Sequence, residues 1–109
     1  MNTRHHLEQY EEECSNQILV LNGHLEHLAL RRPGEVTLCI GNTSRETTVS
    51  PVYLLNHILA PEQPYQLSIY NSGRQAWVTG RSGPGQALSS LAVTIEAQGF
   101  RILRWRQAD

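Results

Sequence analysis

Gln86-Ala87-Leu88-Ser89-Ser90-Leu91-Ala92-Val93-Thr94-Ile95-Glu96-Ala97-Gln98 reads in two ways. Leu88, Leu91, Ala92 and Ile95 recur at the spacing of one helix face. Leu91, Val93, Ile95 and Ala97 equally alternate with Ala92, Thr94, Glu96 and Gln98, as in a half-buried strand. The choice decides the fold. As a helix from Gln86 to about Gln98, the stretch completes an α+β domain. As a strand, it completes an OB-like five-stranded barrel with a helix after the third strand. Val93-Thr94-Ile95 favours the strand on propensity, because branching at Cβ restricts the side chain in a helix. The helix is the reading adopted, with Gly99 as a break before Phe100, Ile102, Leu103 and Trp105.

Working back toward the N-terminus, Tyr65, Leu67 and Ile69 alternate, Asn71-Ser72-Gly73 turns the chain, and Ala76-Trp77-Val78-Thr79 returns as the second strand of a hairpin. Gly80 to Gly85 reads as a flexible loop. Before the hairpin, Ser50-Pro51 has the chemistry of a helix start, an N-cap oxygen followed by a residue that lacks an N–H. Leu54, Leu55, Ile58 and Leu59 follow at helical spacing, and Pro61 and Pro64 end the element. Gly41 to Thr48 is a polar loop. Val36, Leu38 and Ile40 alternate with Thr37 and Cys39, a strand with one buried face. Arg31-Arg32-Pro33-Gly34 turns the chain before it, and His24 to Leu30 precedes that turn as another strand. Asn22-Gly23 is the strongest short hairpin signal, because a type I′ turn needs positive φ at both central residues. It follows the apolar run Ile18-Leu19-Val20-Leu21. Residues 3–15 read as a polar helix with a thin stripe of Leu7, Tyr10 and Cys14. The expected architecture is therefore a three-strand meander plus a hairpin, packed with about three helices.

The chain of 109 residues carries 39% hydrophobic and 17% charged residues at a formal net charge of −1, which fits a single domain, 1–109, with a thin core. That balance argues against a generic polyanion binder. All nine basic residues are Arg; the acids are nine Glu and Asp109. Acid gathers in the first 62 residues and base in the remainder, a dipolar arrangement that favours regulated or head-to-tail association. Cys14 and Cys39 lie far apart with no CxxC pattern, so structural zinc is not expected. Met1 to His6 has no secretory h-region, and no apolar run approaches the ~18 residues of a membrane span. A cytoplasmic protein is the expectation.

Catalysis finds little support. The only Asp is terminal, and no Gly-x-Ser-x-Gly elbow is present. His24 and His27, three apart in a strand, point to opposite faces, so no metal site and no cofactor are expected. Nucleic acid is the alternative partner. Trp77, Trp105, Phe100, Tyr65 and Tyr70 would stack bases in the barrel, and Arg74, Arg81, Arg101, Arg104 and Arg106 would meet phosphates. The acidic balance of the chain counts against it, since phosphate neutralisation dominates such affinity.

The favoured reading is a non-enzymatic protein-binding module. Ile18-Leu19-Val20-Leu21 is apolar on both faces, so one face serves the core and the other a partner. The partner-binding residues are placed at Leu19, Leu21, Leu25 and Trp77. A dimer interface is placed on the helix at 50–60, at Tyr53, Leu54, His57 and Ile58.

In element order the chain resembles the small dimeric chaperones of bacterial type III secretion. The likeness is carried by His6–Ser15, Ile18–Gly23, Val36–Ile40, Ser50–Ala60, Tyr65–Ile69, Trp77–Thr79 and Leu88–Ile95. Within that class it is most similar to the shorter chaperone-like regulators of plant-pathogen hypersensitive-response (hrp) clusters. The resemblance implies a virulence-associated, cytoplasmic homodimer that holds a client segment along apolar strand surface or sequesters a regulator.

Overall fold

The computed structural model describes residues 11–108, and over them the chain is all β. The strands are β1 (Glu12–Glu13), β2 (Ile18–Val20), β3 (Leu25–Arg32), β4 (Glu35–Asn42), β5 (Thr48–Leu54), β6 (Pro64–Asn71), β7 (Ala76–Pro84), β8 (Ser90–Ile95) and β9 (Phe100–Gln107). A 3-10 turn at Ser15–Gln17 and one helical turn, α1 (Gly85–Leu88), are the helical pieces among the described residues. Two antiparallel sheets result. One has six strands in the order β1-β3-β4-β9-β6-β7, the other three in the order β2-β5-β8. Neither closes into a barrel. The α+β expectation and its barrel alternative are both replaced by a two-sheet sandwich.

The decisive stretch is a strand. Along β8, Val93 and Ile95 are buried while Ser90, Ala92 and Thr94 face solvent, a period of two. Cβ branching outweighs the helical spacing once a neighbouring strand is available, and β8 pairs with β5 from Thr48↔Ile95 to Tyr53↔Ser90. Only Gly85–Leu88 of the expected helix is helical. The helix expected at 50–60 is also absent. Ser50, Val52 and Leu54 point inward from β5, and Val49, Pro51 and Tyr53 point out. Pro51 is tolerated in this central strand because its N–H-less edge faces residue 21, just past the end of β2, where the Leu21 N–H donates to the Pro51 carbonyl (3.3 Å). Beyond β5, Leu55-Asn56-His57-Ile58 is a tight turn. Asn56 and His57 have φ of 57° and 52°, and the Ile58 N–H donates to the Leu55 carbonyl (3.1 Å), the type I′ pattern.

The meander is half right. Pro33 and Gly34 (φ 77°) join β3 to β4 with Arg32 opposite Glu35, as the Pro-Gly chemistry predicts. Asn22-Gly23, however, makes no type I′ hairpin, and β2 pairs with β5 instead of β3. The Asn22 side chain accepts the His24 N–H (2.9 Å) and its carbonyl accepts the Leu25 N–H (3.1 Å). This Asx-type turn carries the chain from the small sheet to the large one. The β6–β7 hairpin forms as expected, with the Asn71 side chain accepting the Gly73 N–H (2.8 Å). It runs further than expected, since Gly80–Pro84 continues β7 across a bulge opposite Gln66 to Ser68. Of the helix expected at 3–15, the first residues lie outside those described; Glu12–Glu13 within it is strand.

The core lies between the sheets and centres on Leu38, Ile40, Leu103 and Trp105 from the large sheet and Val52, Val93 and Ile95 from the small one. Trp105 is fully buried, and its indole N–H donates to the Leu88 carbonyl (3.0 Å), which anchors α1 to β9.

Candidate functional site

Two outward faces carry the side chains of interest. On the small sheet, Leu19 of β2 sits opposite Tyr53 of β5, which sits opposite Ser90 of β8. Pro51 and Ala92 form the next outward pair, with Leu21 beside Pro51, and Val49 and Thr94 the last. Leu19, Leu21, Val49 and Tyr53 are 41%, 57%, 60% and 38% exposed. Among the described residues the face holds no charged side chain, because the outward positions of all three strands are apolar or hydroxyl-bearing. An uncharged apolar sheet face left open to water is the signature of an interaction surface.

On the large sheet, one outward row crosses five strands in register: Leu28, Cys39, Ile102, Tyr70 and Trp77. Phe100 lies one row above Ile102 on the same side. The Tyr70 and Trp77 rings meet edge to face with centroids 5.4 Å apart, and Tyr70 and Phe100 lie nearly parallel at 6.0 Å. The Arg104 guanidinium rests 4.5 Å from the Trp77 ring centroid. Glu35 takes both neighbouring arginines, Arg104 at 3.6 Å and Arg106 at 3.4 Å. The Arg104 Nε, the atom that faces Glu35, is enclosed and makes no hydrogen bond among the described residues. Gln66, Ser68, Trp77, Arg104 and Arg106 surround a depression of about 210 Å³.

The residues singled out from the sequence are dispersed by the fold. Leu19, Leu21 and Tyr53 come together, although Tyr53 was expected on a dimer helix and the two leucines on a separate partner surface. Leu25 points into the core, 8% exposed. Trp77 stands on the other outer face of the sandwich. Leu54 is buried, Ile58 packs against the core, and His57 sits exposed in the tight turn, so 50–60 forms no dimer helix. Trp105 and Tyr65, expected to stack bases, are core residues; the Tyr65 hydroxyl accepts the Ala60 N–H (2.9 Å). Val49, Pro51 and Ala92 were missed, and the signal for them was the period-two alternation of 48–54 and 90–95. Among the described residues, no three His, Cys, Asp or Glu side chains gather as a metal site would require. Among the described residues, no helix is long and apolar enough to cross a membrane.

Another depression, about 420 Å³, lies at one end of the sandwich between the β3–β4 turn and the His57–Ala60 segment. Its charged groups are all engaged: Arg31 Nε pairs with Glu12 at 3.4 Å, Arg32 with Glu11, and Glu35 with Arg104 and Arg106. Burial pushes the Cys14 and Cys39 thiols up from their ordinary range, which disfavours the nucleophilic thiolate.

No family model matches the chain, and no curated protein matches it. Solved structures do. A GH30 endoxylanase from Clostridium papyrosolvens superposes with a TM-score of 0.52 at 13% identity, over 81% of this chain and 21% of its own. A Paenibacillus polymyxa GH family 44 xyloglucanase, solved with xyloglucan, gives 0.53 at 8% identity, over 78% and 17%. A family 44 endoglucanase from Clostridium thermocellum gives 0.50 at 7% identity, over 76% and 17%. At such identity the likeness is one of fold alone, and the chain spans only about a fifth of each of these enzymes.

Proposed function

We propose that the chain is a non-catalytic protein-binding module that docks through the outer face of its three-stranded sheet onto a larger protein body. The observation that carries this reading is the absence of charge from that face among the described residues, combined with the exposure of Leu19, Leu21, Val49 and Tyr53 upon it. Desolvating such a face costs little, and the exposed aliphatic and aromatic groups gain on burial. The distant matches support the kind of occupant. In each, the matched stretch is a minor part of a glycoside hydrolase, so the occupant we name is the catalytic domain of a carbohydrate-active enzyme, carried on the same or another chain. In isolation, a second copy takes its place and the chain forms a homodimer. This keeps the protein-binding character expected from the sequence. It leaves aside the secretion-chaperone role, whose likeness ran through helices at 50–60 and 88–95, where 50–54 and 90–95 are strand and 55–60 is turn and loop.

The test is light scattering over a concentration series, for the chain and for a Leu19→Glu, Val49→Glu double variant. The wild type is expected to dimerise and to bind a hydrophobic dye. The variant is expected to stay monomeric and dye-free at an unchanged melting temperature. Equal association of both chains, or a monomeric wild type that binds no dye, refutes the docking face.

A further inference from the structure

The outer face of the six-stranded sheet belongs to a different sheet from the docking face and carries a different chemistry. Its rings are kept at the surface and fixed by one another: Trp77 (43% exposed) against Tyr70, Tyr70 against Phe100, and Arg104 over Trp77. Next to the rings runs a polar band. Arg104 and Ser68 are paired across β9 and β6, and Arg106 and Gln66 form the following pair. A sheet that merely needed solubility would not hold its aromatic groups in a row beside forked hydrogen-bonding groups.

The geometry points to a binding site for a neutral oligosaccharide on this face, with sugar rings laid on Trp77 and Tyr70 and their hydroxyls meeting Gln66, Ser68, Arg104 and Arg106. A pyranose is amphipathic in the matching way. Its axial C–H groups form a weakly positive apolar face that suits the negative face of an aromatic ring. Its edge carries hydroxyls that both donate and accept. The Arg104 and Arg106 side chains are 35% and 63% exposed, and the depression of about 210 Å³ beside Trp77 opens between these same polar groups. Charge selects against a polyanion. Arg104 and Arg106 share Glu35 at 3.6 and 3.4 Å, Arg32 pairs with Glu11 at 3.6 Å, and Glu26 lies on the same side beyond the aromatic row. A phosphodiester chain needs surplus positive charge that the described residues of this face do not hold.

Calorimetric titration of the full chain with cellohexaose, xylohexaose and maltohexaose, each at low and high salt, tests the site. Oligothymidylate serves as the polyanion arm. Saturable, salt-insensitive binding of at least one hexasaccharide is expected, accompanied by a fluorescence change assigned to Trp77, since Trp105 is enclosed in the core. Trp77→Ala and Tyr70→Ala are expected to weaken it about tenfold or more, which corresponds to the loss of one stacked ring. Ser68→Glu fills the depression with charge while leaving the rings in place, and is expected to weaken binding equally if the ring variants fail to fold. Leu19→Glu should bind as the wild type, which separates this site from the docking face. Failure of all three sugars to bind overturns the inference, as does unchanged affinity in Trp77→Ala and Ser68→Glu. Tight oligothymidylate binding that falls steeply with salt overturns it in favour of nucleic acid.

Discussion

Replacing Asn42 by Ala is expected to destabilise the fold by about 2–4 kcal/mol, because its amide is a polar lock between the two sheets. Asn42 ends β4 at 2% exposure. Its Nδ2 donates to the Ile95 carbonyl (3.0 Å) of the other sheet, to the Glu46 carbonyl (2.9 Å) and to Thr48 Oγ1 (3.3 Å). Its Oδ1 accepts from the Ser44 N–H (3.0 Å) and hydroxyl (2.7 Å). Truncation leaves the Ile95 carbonyl short of a donor where water does not reach, at a cost of about 1–3 kcal/mol. The bonds to residues 44–48 lie in a more exposed loop where water substitutes, and their loss adds about 1 kcal/mol. Urea denaturation is the assay. The midpoint should fall with the slope unchanged, and the melting temperature should drop by roughly 10–25 °C. Asn42→Asp should be at least as damaging at neutral pH, since a carboxylate would face carbonyl and hydroxyl oxygens, and should recover partly in acid, where a protonated carboxyl donates again. A loss below about 0.5 kcal/mol for Asn42→Ala, against the ~1 kcal/mol typical of even one hydrogen bond, would refute the lock.

His57→Gly should stabilise the chain by up to about 1 kcal/mol in thermal melts, because it relieves a left-handed conformation (φ 52°) at an exposed turn position. Gly85→Ala should destabilise it severely, since a Cβ there would overlap the Ala60 carbonyl; a melting temperature near that of the wild type would contradict the packing. The Arg101 side chain, donating to Glu96 at 3.1 Å, holds the Glu96 carboxyl below its ordinary range. A carboxylate lowered in the folded state contributes stability above its unfolded pKa and loses it as pH falls through the folded value. Arg101→Gln should therefore raise the Glu96 titration midpoint seen by NMR and flatten that part of the acid limb. Cys14, 1% exposed, should react with a thiol reagent only as fast as the fold opens, while Cys39 on the outer face reacts sooner.

The amino-acid sequence by itself determined the parts that local turn chemistry controls. Pro33-Gly34 and Asn71-Ser72-Gly73 specify their hairpins because φ limits and an Asx side chain act within a few residues, and the alternation at 36–40 and 65–69 names their inward faces. It also marked Leu19 and Leu21 as surplus apolar surface, since a strand apolar on both sides cannot bury both in a thin domain. Only the tertiary structure decided whether 50–54 and 90–95 were helix or strand. Their apolar residues satisfy both spacings, and the partner strand that makes the extended form favourable lies some forty residues away, at Thr48↔Ile95. It decided as well that β2 leaves β3 for β5, which sets Leu19 beside Tyr53, and that Phe100, Tyr70 and Trp77 share one face. Those neighbours are fixed by register between strands distant in the chain, a quantity that no local pattern of residues encodes.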